Sequence, residues 1–565
     1  LYSNYKTNLN MKKILFSVMA LAGANSLSAQ TFFNQTTFRG AFAPAPTEMW
    51  TQGWTNWDPQ NTVYPAPTTT ITGNITASTN WASGTTVLLQ GPVYVTNNAT
   101  LTIDAGVVVR CSKAAAGSAL IITKGSVINA VGTVSNPIVF TSDQNAGSRA
   151  LGDWGGLIVL GNAALNFTNG VNNIEGLPVS SNSQFGGGST PNNNDNSGIL
   201  KYVRIEYGGY VYGTNQEING LTLGAVGRGT TLEYIQTSFT NDDAFEWFGG
   251  NVNAKWLVSY RNLDDDFDTD NGWSGNVQYG LIVRDPNLAD NPSVSTSEGF
   301  ESDNDANGTT ASPLTSGVFS NVTMIGPFRG STTNTIAAGY RRAVRIRRNS
   351  NLKVFNSIFM DTQRGVHIDG SLCETSAGNG SLKFKNNIIA GMSQRAVEQN
   401  TANTFGTNAG ATTSAWFTAN ANDSIHSSMS SFSVILTTPY NYTSPDYRPG
   451  INSIALAGAS FTDAAIGALT IGVSEITTKI GVIGLFPNPT SGATALFIDA
   501  KNATALSVSI NDVTGKLVAS PITNQTLANG ENKFTLNTAE LSNGIYFVTL
   551  STAEGKETVK LIVNH

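Results

Sequence analysis

One short pattern, repeated six times between Asn241 and Asn400, restricts this chain more than anything else in it. The copies are Ala244-Phe245-Glu246-Trp247-Phe248, Asp266-Phe267-Asp268-Thr269-Asp270, Gly299-Phe300-Glu301-Ser302-Asp303, Ala343-Val344-Arg345-Ile346-Arg347, Gly365-Val366-His367-Ile368-Asp369 and Ala396-Val397-Glu398-Gln399-Asn400. In each, a small or acidic residue precedes an apolar one and an ionisable one follows. Strand side chains alternate between faces. The pattern therefore sends Phe245, Phe267, Phe300, Val344, Val366 and Val397 one way. Glu246, Asp268, Glu301, Arg345, His367 and Glu398 go the other. A second kind of strand lies between the copies, as in Tyr279-Gly280-Leu281-Ile282-Val283 and Val354-Phe355-Asn356-Ser357-Ile358. Such regular alternation is that of a coil whose stacked turns bury a common core. The copies are 22, 33, 44, 22 and 31 residues apart, so the longer turns carry insertions outside the coil. The expectation is an all-β chain: a right-handed parallel β-helix, each turn giving one strand to each of two sheets, with a charged ladder on an exposed face.

The rest of the chain suits many short strands joined by turns. It has 57 Gly in 565 residues, only 12% charged residues and no helical periodicity. A net charge of -6 with no basic stripe argues against a nucleic-acid partner. Met11-Lys12-Lys13 followed by the apolar run Ile14 to Gly23 predicts a secretory signal peptide within residues 1–29, cleaved near Ala29. No stretch is apolar enough to span a bilayer. Residues 30–85, with Trp50, Trp54 and Trp57, are expected to cap the open first turn; stacking on sugar rings is the other use of such a row. The β-helix is expected over 86–400, with a mobile loop excursion at 166–198. A C-terminal cap and linker follow at 401–480, and a small β-sandwich at 481–565. Cys111, in or near a strand, and Cys373, in a loop, are expected to be free thiols many turns apart.

Thr100-Leu101-Thr102-Ile103-Asp104-Ala105-Gly106, Gly152-Asp153-Trp154-Gly155-Gly156 and Asp264-Asp265-Asp266-Phe267-Asp268 resemble exported β-helix proteins of the Bacteroidetes over about residues 85–400. That resemblance implies architecture and compartment, with no particular reaction. The final 80 or so residues are similar to the C-terminal sorting domain of the type IX secretion system. Pro487-Asn488-Pro489, the Asp512-Val513-Thr514-Gly515-Lys516 turn, Gly544-Ile545-Tyr546 and Lys560 carry the match. It implies the type IX machinery as a partner and delivery outside the cell or to its surface.

Three readings of the ladder stand open. Acids on neighbouring turns lie about 4.8 Å apart and oppose one another. Arg345 could pair with Glu301 and Arg347 with Asp303, leaving a passive, ion-paired face. Asp268, Asp270, Glu301 and Asp303 could instead hold Ca²⁺, a cation that takes six to eight oxygens. Glu246 and Glu398, at the ladder's two ends, are the candidates for contact with a ligand such as a cell-surface glycan. The third reading comes from resemblance to pectate-lyase-like β-helices. It makes the chain a Ca²⁺-dependent lyase of acidic polysaccharides, with Arg345 or Arg347 as base and His367 as a second acid/base. An arginine base is demanding because guanidinium stays protonated. No partner for His426 or His565 is identifiable in the sequence, and no zinc or Ser/His/Asp spacing exists.

Overall fold

The computed structural model describes residues 32–213, 216–399, 415–425, 435–467, 480–500, 504–513, 515–552 and 555–565. The expected signal peptide, the linker near Thr477-Thr478, Asn400 and His426 lie outside them. The chain divides into two compact units, 1–469 and 470–565.

The first unit is a parallel β-helix. One wall is a ten-stranded parallel sheet running from Pro92–Val95 to Arg395–Gln399. Its inward column reads Val93, Leu120, Leu157, Leu221, Phe245, Phe267, Phe300, Val344, Val366 and Val397 in unbroken register. Every one is fully buried, so the expected apolar column is present. Burial of each such side chain is worth about 1.5–3 kcal/mol. Inside, Phe267, Phe300 and Phe319 pack edge to face, with centroids 5.2 Å apart for the first pair and 4.8 Å for the second.

The residue before each inward one is small for a reason. The chain turns a corner there, and Ala244, Ala343 and Ala396 join the core instead of facing out. A Cβ on Gly299 would meet the Ala343 carbonyl at 2.5 Å, and one on Gly365 the Ala396 carbonyl at 2.3 Å. Asp266 occupies the same position and is wholly buried in an ion pair with Arg284 at 2.7 Å.

The opposite wall departs from the expected single strand per turn. Strands such as Asn253–Tyr260 bend sharply in the middle, and later ones break into two, Lys353–Phe355 and Ile358–Met360. Each turn therefore has three strand faces. The bends fall at Tyr202, Tyr234, Trp256, Tyr279, Asn321, Asn356 and Asn386, all left-handed with φ between 52° and 65°. Asn tolerates that conformation; aromatic residues adopt it at a cost. Here stacking offsets the cost: Tyr202, Tyr234, Trp256 and Tyr279 form a pile with successive centroids 4.4, 4.4 and 5.9 Å apart.

Parallel pairing begins at Thr69–Ile71 on Val87–Leu89 and ends at Asp423–Ile425 on Ile388–Ala390, outside the bounds 86 and 400. The first of these strands is mostly exposed and lacks the apolar alternation that would announce it.

The segment from Phe32 to about Pro65 does not cap the first turn. It straps the flank lengthwise. Arg39 N–H donates to the Ala455 carbonyl, Gly40 N–H to the Asn356 carbonyl and Asn34 N–H to Gln278 Oε1; the return leg bonds Asn56 N–H to Gln236 Oε1 and Tyr64 Oη to Glu206. The reason is an apolar band on the outside of the coil, including Val258, Leu281, Ile325, Ile358 and Ile388, that needs cover along its whole length. Trp54 is buried edge-on against Tyr202 and Tyr234, so it is not free to stack on a sugar. The 166–198 excursion is likewise docked, not a free loop. Ile174, Leu177 and Phe185 pack on Ile121, Ile158 and Leu160 of the ten-stranded sheet. Cys111 lies in a strand; Cys373 lies in the helix Ser371–Asn379, not a loop, and both are buried free thiols.

The second unit is an antiparallel sandwich of a three-stranded and a four-stranded sheet. Leu496, Ile498 and Leu536 of one meet Val508, Ile510, Val548 and Leu550 of the other.

Candidate functional site

The ladder on the outer face of the ten-stranded sheet is continuous: Glu246, Asp268, Glu301, Arg345, His367 and Glu398 are register partners on successive strands. The corner in each turn brings a second set back to the same side, two residues before the inward column. These are Asp243, Asp265, Glu298, Arg342, Arg364 and Arg395. Their carboxylate oxygens group with those of the ladder, and their guanidiniums pair with it. The face is thus segregated by charge, acidic on the turns before Arg342 and basic after.

At the junction the two blocks neutralise one another. Arg342 meets Glu298 at 2.7 Å, Arg345 meets Glu301 at 3.2 Å and Arg347 meets Asp303 at 2.8 Å. Arg347 also pairs with Glu301, and Arg348 with Asp303 at 2.7 Å. The Glu301–Arg345 and Asp303–Arg347 contacts read from the sequence are both formed. They are not on an exposed face, however. Glu301, Asp303 and His367 are buried.

Before the junction, Asp242, Asp243, Glu246, Asp264, Asp265, Asp268 and Asp270 have no ion pair to any Lys, Arg or His among the described residues. Their oxygens form three overlapping sets, each within 4.8 Å: Asp242, Asp243 and Asp264; Asp243, Glu246 and Asp268; Asp265, Asp268 and Glu301. Burial first, then the neighbouring carboxylates, hold Asp243, Glu246, Asp264, Asp265 and Asp268 well above the usual carboxylate range. The same causes push Asp242 up to about 8, and burial with Asp303 pushes Asp270 to about 7. Some of this charge is met locally. Asn219 Nδ2 donates to Glu246, Asp265 N–H donates to Asp243 at 2.9 Å and Glu298 N–H to Asp265 at 2.5 Å. Buried oxygens of Asp264, Asp268 and Asn219 accept no hydrogen bond.

The proposed four-carboxylate set is therefore divided. Asp303 is held by two arginines, and Asp270 stands outside the oxygen sets, while Asp268 and Glu301 fall in one set with Asp265. Glu246 and Glu398 are five rungs apart, about 24 Å at ~4.8 Å per rung, and share no site. After the junction Glu398 lies 3.2 Å from Arg342, 3.1 Å from Arg364, 3.8 Å from Arg395 and 3.7 Å from His367. Asp369 lies 2.8 Å from Arg345. A pocket of about 380 Å³ opens beside Arg345, Arg347, Arg348, Asp369, Ser371 and Cys373. Burial disfavours the charge on Arg345 and Arg347, but Glu301 and its neighbours outweigh it, so both are held more firmly protonated than a free guanidinium.

Arg342, Arg364 and Arg395 escape a reading that looks only one residue either side of the inward column. Two residues before it, the change from acid to arginine is plain in the sequence.

In the second unit, Asn488 bridges to the last strand: Nδ2 donates to the Lys560 carbonyl and Oδ1 accepts from Ile562 N–H, both at 2.8 Å. The Pro487 carbonyl accepts from Thr494 Oγ1, and Tyr546 Oη donates to the Ser542 carbonyl. Gly544 and Lys560 lie on the adjoining strands Gly544–Thr552 and Gly555–Val563. Pro489 follows Asn488 in the same connection.

Fold and site thus define a parallel β-helix with a charge-segregated face and a separate small β-sandwich. Residues 73–431, well over half of the chain, match the family described as pectate-lyase like beta helix domain, and the chain belongs to it. Residues 484–564 match the secretion system C-terminal sorting domain, which marks the chain for the type IX machinery and for secretion or surface display. No curated protein matches. Among solved structures, the full-length tailspike protein 2 of Escherichia coli O157:H7 bacteriophage CAB120 is similar at 11% identity and a TM-score of 0.24. The match covers 85% of this chain and 64% of that one. The Dettilon tailspike protein is similar at 10% identity and a TM-score of 0.22, covering 83% and 74%. No described helix is long and apolar enough to cross a membrane.

Proposed function

We propose that the chain is an exported surface β-helix that binds glycans without cleaving them, and that its acidic block is held together by Ca²⁺. The observation that carries the reading is the imbalance before the junction: seven carboxylates, three buried and four half-buried, with no cationic side chain paired to them among the described residues. Hard oxygen donors from different turns suit Ca²⁺, whose coordination tolerates irregular geometry. Asp243, Glu246, Asp265 and Asp268 are its preferred ligands, in place of the Asp270 and Asp303 of the sequence reading. The unfilled oxygens of Asp264, Asp268 and Asn219 fit such a donor set.

Binding is favoured over a lyase because none of the residues the lyase reading names, Arg345, Arg347 and His367, stands ready as a base. A general base must reach the proton it removes and exchange it near working pH. Arg345 and Arg347 are each tied to two carboxylates. His367 is buried beneath Asp369 and Glu398 and does not line the pocket. Asp369, where His367 and Arg345 outweigh burial, is held below the usual range and is a weak base. The test pairs two measurements on a panel of neutral and acidic polysaccharides, with Ca²⁺ and with chelator: retention of the protein, and absorbance of unsaturated products. Retention without new absorbance is expected. Unsaturated product that disappears in an Arg345→Gln variant establishes the lyase instead.

A further inference from the structure

Away from the ladder, Tyr207, Phe239 and Arg261 follow Glu206, Ser238 and Tyr260, which are register partners on successive turns. With Arg149, Leu151 and Leu288 they line a hollow of about 420 Å³. We infer that this hollow binds a small carboxylate with an apolar or aromatic body, its head held by Arg149. The inference rests on neither the glycan nor the Ca²⁺ reading of the ladder.

Arg149 is what points to an anion. It is only 5% exposed, and an arginine so buried is ordinarily paired. Here it makes no ion pair among the described residues. Nη1 donates to the Pro59 carbonyl, and the guanidinium lies 4.9 Å from the centre of the Tyr64 ring. Nε is buried and donates to nothing, and Nη2 has no acceptor among the described residues. Glu206 and Asp58 lie close enough to act on the adjoining Tyr207, but both are engaged. Glu206 accepts from Tyr64, Thr141 and Asn56, and Asp58 accepts from Asn61. Arg110 adds a second positive charge nearby, offset in part by Asp143. The Nε–Nη2 edge of Arg149 is thus left over, and a carboxylate meets such an edge with two parallel hydrogen bonds.

The walls select the body of the ligand. Tyr207 and Phe239 stack with centroids 5.4 Å apart, and Leu151 and Leu288 add aliphatic surface. Most polar groups beside them are spoken for. Gln60 accepts from Tyr207 Oη at 2.8 Å and donates to the Arg149 carbonyl at 3.2 Å. Asp285 pairs with Arg261 and accepts from Asn287 N–H at 2.8 Å. Little remains for the hydroxyls of a sugar, so a body that buries apolar area fits better. The volume is that of a small-molecule site.

The backbone around the hollow is held under strain. Tyr207, Phe239 and Arg261 are left-handed, with φ of 65°, 55° and 59°, a costly conformation for side chains of this size. Such strain persists only where the surroundings over-determine it, and it gathers at ligand sites. The loop that carries Leu288 is fixed from behind, since Tyr340 Oη donates to the Asp285 carbonyl at 2.6 Å. The hollow is therefore formed before any ligand arrives.

The test is a ligand-observed NMR titration of the full chain with phenylacetate and with hexanoate. Benzyl alcohol is the neutral comparison and galacturonate the sugar-acid comparison. At least one of the two carboxylates should bind ~tenfold or more tightly than benzyl alcohol, and less tightly as salt rises. Arg149→Gln should weaken that carboxylate ~tenfold or more. Arg348→Gln, on the ladder, should bind as wild type does. Wild type that binds neither carboxylate, benzyl alcohol that binds as tightly, or galacturonate that binds more tightly than both overturns the assignment. So does Arg149→Gln that binds like wild type, or a loss confined to Arg348→Gln, which would place the anion on the ladder. Should Arg149→Gln fail to fold, Leu288→Glu sets a like charge beside the ligand from a half-buried position; it should abolish binding, and unchanged binding refutes the site.

Discussion

Metal-free protein should become less stable as pH rises from 5 to 8, and Ca²⁺ should restore part of that loss. Asp270 and Asp242 show the size of the effect. A carboxylate whose folded-state value is raised holds its proton more tightly folded than unfolded. The associated stability is fully present below the unfolded value near 4 and is lost as pH climbs through the folded value. For Asp270 that means loss through about 7, and for Asp242 through about 8. Moving Asp270 from 3.8 to about 7 corresponds to about 4 kcal/mol at most. The acids titrate as a set, so the total is a few such contributions at most, not one for each group. In a unit of several hundred residues ~1 kcal/mol shifts Tm by roughly 1 °C. The melting midpoint in chelator should therefore fall by about 4–8 °C between pH 5 and 8. Calcium at a hundredfold excess over its dissociation constant adds about 2.7 kcal/mol. That restores part of the loss at pH 8 and does little at pH 5, where protons hold the site. Calorimetry at four pH values, with Ca²⁺ and with chelator, measures both arms. A midpoint that rises with pH in chelator, or is the same with and without Ca²⁺ at pH 8, refutes the account.

Three further outcomes follow from other parts of the chain. Arg284→Leu alone should destabilise the coil by about 3–5 kcal/mol, because it strands buried Asp266; Arg284→Leu with Asp266→Leu should recover most of the loss in urea melts. Burial raises the Cys373 thiol to about 12 and the Cys111 thiol well above its ordinary value, so neither should react with a maleimide at pH 7 until denaturant is added. Removing residues 481–565 should leave a coil with unchanged circular dichroism that no longer reaches the cell surface; surface delivery of the truncated chain would contradict the sorting role.

What the sequence made legible follows from which signals are local. Alternation about Phe245, Phe267 and Phe300 names the core column, because a strand's two faces are fixed by its own residues. The corner one residue earlier is not legible that way. It depends on how a neighbouring turn crowds Gly299 and Gly365, and it returns Asp243, Asp265 and Arg342 to the ladder's side. The strap was misplaced for a similar reason. Trp50, Trp54 and Trp57 announce an apolar cover, but the surface they cover is the stack of Val258, Leu281 and Ile325, assembled only once the turns are wound. Nor does a list of charges reveal exposure. Glu301 and Arg345 read as a surface pair worth about 0–1 kcal/mol; burial changes their role, since removing one now leaves the other charged and out of water.

The order of charges along the axis sets which turns the coil itself neutralises. If acid and base alternated turn by turn, every rung would neutralise its neighbour, and the face would need nothing from outside. Here the acidic block meets base only at the turn that carries Arg342, Arg345 and Arg347, and beyond that turn Asp369 pairs with Arg345 and Glu398 with Arg342 and Arg364. On the other side Asp243, Glu246, Asp265 and Asp268 crowd together with no such ion pair among the described residues. Like-charge repulsion of this kind costs stability in the unliganded fold. The proposed Ca²⁺ among Asp243, Glu246, Asp265 and Asp268 would remove that cost on the acidic side.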